Sequence, residues 1–505
     1  MQYRLRLLAL AAFLCAFAPH VGAAQGESPA PSPAPFAPTT QAHTSITHHT
    51  IVLDGKPLAY TATAGVIQLK TASGDPDANV FYTAYTMGGD AHRPVTFLYN
   101  GGPGSSSMWL HIGAFGPRRV VTTDAKSTPP APYAVVDNDG TLLDRSDLVF
   151  IDAVGTGYSK LVGHGTGSVF FGVDEDAQAF AQFIKRWVTL NDRWNAPKYL
   201  LGESYGTTRS AQLVNVLQND GMAFTGVILV SSVLDFTTFD PSQDLSYIGF
   251  FPTEAATAWY HHRVPNPPAS IVTFLADVRH FAAGEYAAAL IQGANLPAAQ
   301  RSAIVQKMHA YTGLDPRFID DANLRVSPGR FEKELLRDER KTVGRLDSRF
   351  TGSDSDAAGE APQFDPTDAA VSSAFVASFN NYVRNDLKFQ DDDEYKGTNY
   401  SVVLRNWNYR RTSHGGTAAT NVTDDLRQAL TKNPNLRLFS ANGYYDLATP
   451  FFATEYTLAH LGLEPSIQRH ISYGFYQSGH MIYINTEARH ELRHDLDAFY
   501  DDARR

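Results

Sequence analysis

Residues 198–217 read Lys-Tyr-Leu-Leu-Gly-Glu-Ser-Tyr-Gly-Thr-Thr-Arg-Ser-Ala-Gln-Leu-Val-Asn-Val-Leu. A strand-like run, 199–201, leads directly into Gly202-Glu203-Ser204-Tyr205-Gly206, and a helix-compatible run over 207–217 follows. A strand that turns sharply into a helix has no room for side chains around the turn. Glycines two before and two after the serine meet that need. Such a turn lifts the Ser204 hydroxyl out of a sheet and aims the N–H groups of the helix start toward it. No other Gly-x-Ser-x-Gly occurs in the chain.

Outward from this turn, strand-like runs recur at 80–86, 95–99, 148–152 and 226–231. Between them, residues 174–190 carry Ala177, Phe180, Ala181, Ile184, Trp187 and Val188 at the spacing of one helix face, with Asp174, Glu175 and Asp176 at its positive N-terminal end. Strands alternating with helices predict an α/β fold, a mostly parallel central sheet flanked by helices. From 236 to 395 the character changes to Ala-rich and charged helical patterns at 282–291, 298–311, 330–345 and 368–386. Within this region the polar, acidic stretch 352–365 reads as a mobile loop. Strands return at 436–440 and 470–473, and a helix closes the chain. The expected organisation is a first core part at 45–235, a helical insertion or cap at 236–395, and a second core part at 396–505.

The 505 residues are 43% hydrophobic and 19% charged, an ordinary globular composition. A formal charge of −10 argues against a duplex nucleic-acid binder, which needs a basic face to meet phosphates. The single cysteine excludes a disulfide framework and a Cys-rich metal site. Beyond the first residues, no stretch offers the ~20 continuous apolar residues of a spanning helix. Residues 1–24 read as a signal peptide: Arg4 and Arg6, an apolar run over 7–17, then the small residues Gly22, Ala23 and Ala24. Cys15 lies within that run. A Pro/Ala-rich tether follows at 25–44. The expected location is secreted or periplasmic.

A serine hydroxyl needs a base to become a nucleophile, and the imidazole that serves needs a carboxylate to fix its tautomer. In sheet enzymes of this kind the chain order is serine, acid, histidine. Asp446 closes Ala-Asn-Gly-Tyr-Tyr-Asp just beyond the run 436–440, and His480 lies in Gln-Ser-Gly-His-Met after the run 470–473. Asn100-Gly101-Gly102-Pro103-Gly104 follows the strand 95–99, where half of an oxyanion hole belongs. The Gly102 amide can approach a substrate without a Cβ in the way, and the Tyr205 amide supplies the second donor.

With these pieces the chain resembles the serine carboxypeptidase family of α/β-hydrolases. Four blocks carry the likeness: 100–107, 152–159 (Asp-Ala-Val-Gly-Thr-Gly-Tyr-Ser), 202–206, and the pair 442–450 and 479–480. The resemblance implies a triad of Ser204, Asp446 and His480, with Gly102 and Tyr205 lining the oxyanion hole. It further implies that Asn100 and a protonated Glu203 bind the substrate's terminal carboxylate. A carboxylic acid donates a hydrogen bond to a carboxylate, whereas two anions repel. Two departures stand out. The family's second glutamate is missing from Gly113-Ala114-Phe115-Gly116-Pro117, which leaves carboxylate recognition weakened or supplied differently, and the usual cysteine of the first block is Ser105.

The expected activity is release of C-terminal residues from peptides through an acyl-enzyme, with peptides as partners and no cofactor. An esterase or acyltransferase on the same triad is the alternative. More remote are a secreted binding protein that keeps the scaffold and a zinc peptidase. The last would use His490-Glu491-Leu492-Arg493-His494, two histidines one helical turn apart with Glu491 as base. The extended zinc motif fails there, with Asp497 and Tyr500 at its further positions, and the stretch reads more simply as a surface helix.

Overall fold

In the computed structural model, residues 43–411 and 419–503 are described. The expected signal peptide and all but the end of the tether lie outside them. The chain enters a hairpin of two long strands, β1 (Thr44–Leu53) and β2 (Lys56–Lys70), followed by β3 (Pro76–Thr86). The hairpin turns at Asp54-Gly55, both at positive φ, as a tight two-residue connection requires. Next come β4 (Val95–Tyr99), β5 (Asp147–Ile151), helix α1 (Val173–Leu190), β6 (Lys198–Ser204), helix α2 (Tyr205–Asn219) and β7 (Gly226–Ser232). After the insertion the sheet resumes with β8 (Arg437–Gly443) and β9 (Ile471–Tyr476).

The spatial order is β1-β2-β3-β5-β4-β6-β7-β8-β9. From β5 to β9 all neighbours are parallel, while the β1–β3 edge pairs antiparallel. Parallel strands need both faces covered, and consecutive residues supply that by pointing to opposite sides. Phe97, Leu200, Val227 and Leu229 pack on the side of α1 and α2. Leu98, Leu201, Ile228 and Val230 pack on the other side. That second face is closed by α6 (Pro366–Asn385) and the C-terminal α9 (Thr486–Asp502). This is the α/β-hydrolase arrangement, and the strand runs read from sequence coincide with its strands to within a few residues.

Between β7 and β8 lie α3 (Asp244–Tyr260), α4 (Ile271–Phe281), α5 (Ala298–Thr312) and the α6 just described; α7 (Thr423–Lys432) and α8 (Phe451–Ala459) flank β8. Residues of α3, α4 and α5 share a third hydrophobic cluster that takes in Tyr444, Tyr445 and Leu447. Two details differ from the sequence reading. The helix expected over 330–345 stops early: a short helix, Pro328–Glu334, gives way to Arg340 at φ 56 and a strand at Lys341–Val343. The stretch 352–365 is anchored, with Asp354 buried against Lys333 at 2.7 Å and Asp365 capping α6. These two acids serve internal ion pairing and capping, while most of the stretch between them faces solvent. No helix among the described residues is long and apolar enough to cross a membrane.

Candidate active site

The carboxyl ends of parallel strands collect the functional side chains of such sheets. Ser204 ends β6 at φ 60 and ψ −131, a backbone region that strains an L-residue and marks the strand-to-helix elbow. The flanking glycines are required by contact. A Cβ on Gly202 would lie 2.2 Å from the Gly206 carbonyl oxygen, and one on Gly206 would lie 2.8 Å from that of Tyr99. The glycine-rich turn after β4 presses on the same elbow, since a Cβ on Gly101 would lie 2.3 Å from the Tyr205 nitrogen. Gly102 sits at φ 104, and its amide has no backbone partner among the described residues. The Tyr205 amide opens α2, where the first N–H groups have no intrahelical acceptor.

Two buried networks fix this turn. Arg209 of α2 donates to the Asn100 carbonyl at 2.7 Å and forks onto Asp176 at 2.6 and 3.2 Å. Asp152, beyond β5, accepts from the Ser107 amide at 2.8 Å, the Ser107 hydroxyl at 2.7 Å and the Tyr395 hydroxyl at 2.8 Å. Burial raises its carboxyl to about 6 despite these donors.

Asp446 is fully buried in the loop after β8. Its Oδ1 accepts from the amides of Ala448 (2.8 Å) and Thr449 (2.9 Å), and its Oδ2 accepts from the Thr449 hydroxyl at 2.6 Å. Oδ2 also lies 2.9 Å from His480 Nδ1. The carboxylate therefore holds the ring proton on Nδ1 and leaves Nε2 as an acceptor. Burial pulls the imidazole pKa down, but the charge and hydrogen bond of Asp446 outweigh it and hold His480 above its ordinary value. Ser204 and His480 line one cavity of about 870 Å³, together with Asn100, Gly101, Gly102 and Glu203. No hydrogen bond joins the Ser204 hydroxyl to the ring in this structure. Such contacts are commonly long before substrate binds.

Glu203 is buried beside the serine, and burial pushes its carboxyl up to about 7. Tyr483 donates to Glu203 Oε2 at 2.9 Å, a partner the sequence reading did not include. Its only sequence signal is its place three residues after His480. The Tyr483 ring also stands against Gly113, whose Cβ would lie 2.7 Å from it, in the stretch that lacks the family's second acid. Asn100 is buried, lines the cavity and accepts from the Leu110 amide at 3.1 Å. The His490–His494 pair is elsewhere, on α9: His490 Nε2 meets Asp139 at 3.0 Å, and the His494 side chain is 85% exposed. Among the described residues no cluster of three metal-ligating side chains occurs.

Parts of this chain are similar to known proteins. Pheromone-processing carboxypeptidase kex1 of Aspergillus clavatus is 30% identical over 145 residues, covering 28% of this chain and 22% of that protein. The Komagataella phaffii enzyme of the same name is 27% identical over 201 residues, 38% of this chain and 30% of that one. The matches thus span between a fifth and a third of those relatives' length. The crystal structure of a prohormone-processing carboxypeptidase from Saccharomyces cerevisiae superposes with a TM-score of 0.53 at 17% identity, over 88% of this chain and 91% of that one, which shows the shared fold. The family Peptidase_S10, serine carboxypeptidase, matches residues 55–484, and the chain belongs to that family.

Proposed function

We propose that this protein is an exported serine carboxypeptidase that releases C-terminal residues from peptides through an acyl-enzyme. The observation that carries the reading is the 2.9 Å bond between His480 and buried Asp446, facing the cavity that Ser204 lines. Ser204 Oγ attacks the scissile carbonyl carbon while His480 Nε2 takes its proton. The oxyanion that forms accepts from the Gly102 and Tyr205 amides. Collapse expels the amine with the proton from His480, leaving an acyl-Ser204 ester. Water then attacks with His480 as base and frees the shortened peptide.

Glu203, Asn100 and Tyr483 favour a free terminal carboxylate over an ester. A carboxyl held near 7 is protonated in mildly acidic conditions and donates to the substrate carboxylate. Tyr483 supplies a hydroxyl beside Glu203 where the sequence has no second acid. The relatives' names, which refer to pheromone processing, fit trimming of peptide ends. The region 236–395 contributes to the cavity wall through Arg345, and through Asp368 and Val371 of α6, which also packs on the central sheet. Export rests on the composition of residues 1–24.

The test is a digestion time course on a mixed peptide library, read by mass spectrometry, with free and amidated C-termini. Stepwise loss from free C-termini alone, abolished in Ser204→Ala, is expected. Equal rates on amides would favour the esterase or acyltransferase reading.

A further inference from the structure

The loops that carry Asp446 and His480 bond to each other, the Tyr445 amide donating to the Ser478 carbonyl at 3.0 Å, and the Ser231 hydroxyl donates to the His480 carbonyl at 2.7 Å. A five-residue segment of the insertion, 345–349, bonds to both. The Arg345 carbonyl accepts from the Leu447 amide at 3.0 Å, and Ser348 donates to the Tyr445 carbonyl through its amide at 2.9 Å and its hydroxyl at 3.0 Å. These contacts hold the residues on either side of Asp446. On the other loop, the Leu346 carbonyl accepts from the His480 amide at 2.6 Å, and Asp347 Oδ2 accepts from the Gly479 amide at 3.1 Å. Arg349 binds Asp347 Oδ2 at 2.6 Å and reaches the Ser478 hydroxyl at 3.3 Å. Asp347 and Arg349 are both buried. The segment is itself fixed from behind: Asp365 accepts from the Arg345 and Leu346 amides, and the Thr367 hydroxyl bonds the Asp347 backbone.

A buried ion pair is costly to desolvate, so its net stabilisation is small and its geometry is its main contribution. Here that geometry adds a second link between two loops from different strands, beside their direct backbone bond. We propose that segment 345–349 of the insertion aligns His480 with Asp446, and that Asp347 is its central positioning residue. The insertion thereby completes the catalytic constellation as well as shaping the pocket. This rests on the proposed role of the triad, and the test separates the two.

The full chain is purified as wild type, Asp347→Asn and Gly479→Ala. The second variant works from the other side: its Cβ would lie 2.4 Å from Asp347 Cβ and from the Leu346 carbonyl oxygen, wedging the loops apart with the ion pair intact. Three quantities are read: the rate of Ser204 labelling by a fluorophosphonate, kcat and KM on one peptide, and the pH profile of kcat/KM. Both variants should lose about 10- to 100-fold in kcat and in labelling rate, with KM changed by less than about threefold. The ascending limb of the pH profile should move to lower pH. His480 faces Asp446, Glu203 and Arg345, and of these Asp446 raises its pKa most, so a looser contact lets it fall. Asp347→Asn leaves Arg349 short of a partner; if that variant does not fold, Gly479→Ala decides. Folded variants with wild-type labelling and an unmoved pH limb would overturn the inference. Failure of the wild type to label at Ser204 would overturn the triad reading, and the inference with it.

Discussion

Replacing Glu203 by glutamine should remove one limb of the pH profile without removing carboxylate binding. Burial sets the Glu203 carboxyl near 7, so it is almost wholly protonated at pH 5. One unit above its pKa, only about one-tenth remains protonated. On the proposed reading the protonated form donates to the substrate carboxylate and the ionised form repels it, so affinity for a free C-terminus should fall as pH rises through about 7. The drop approaches tenfold per further unit. His480 titration affects every substrate alike, so the ratio of kcat/KM for a blocked dipeptide to that for its amide isolates Glu203. In the wild type this ratio should be flat at pH 5–6 and fall above about 7. In Glu203→Gln the side-chain oxygen still accepts from Tyr483, and the amide nitrogen still donates. The ratio should then stay level to pH 8.5, at a value within about tenfold of the wild type at pH 5. A falling limb that persists in Glu203→Gln would refute this role, as would a wild-type ratio independent of pH.

Tyr483→Phe removes the donor 2.9 Å from Glu203, so the ionised form loses support and the falling limb should move to higher pH. KM for free-carboxylate peptides should rise about 2- to 10-fold, read from steady-state kinetics at pH 6. Gly101→Ala would set a Cβ 2.3 Å from the Tyr205 nitrogen, backbone against backbone. It should cost about 100-fold in kcat by displacing an oxyanion donor, and leave KM nearly unchanged. Between β7 and β8, burial raises Glu332 to about 8 and holds Glu254 well above the usual carboxylate range. The folded state then binds these protons more tightly than the unfolded chain, so stability falls as pH rises from about 4.3 through about 8. Calorimetry should show Tm falling across that window, and less steeply in Glu332→Gln.

Where local sequence dictates local structure, the chain was legible. The glycine-bracketed turn at Ser204, the one-sided helix 173–190 and the strands behind Asp446 and His480 all follow from spacing and side-chain size. The β1–β2 hairpin is marked in the sequence only by the dipeptide Asp54-Gly55, too short a signal to define the two long strands around it. Helix α3 had no such signal: it is buried on most sides and holds Pro252 inside, so it shows neither an amphipathic period nor an unbroken helical composition. Asp347 and Tyr483 were unreadable for another reason. Their partners, Gly479 and Glu203, lie 132 and 280 residues away, and only the folded sheet edge brings them together.

The most direct measurement is the site of covalent modification by a fluorophosphonate. Peptide mapping of the treated chain should find a single adduct, on Ser204, whose formation slows by orders of magnitude in His480→Ala and Asp446→Ala. An adduct on another residue, or a rate at Ser204 indifferent to loss of His480, would contradict the account.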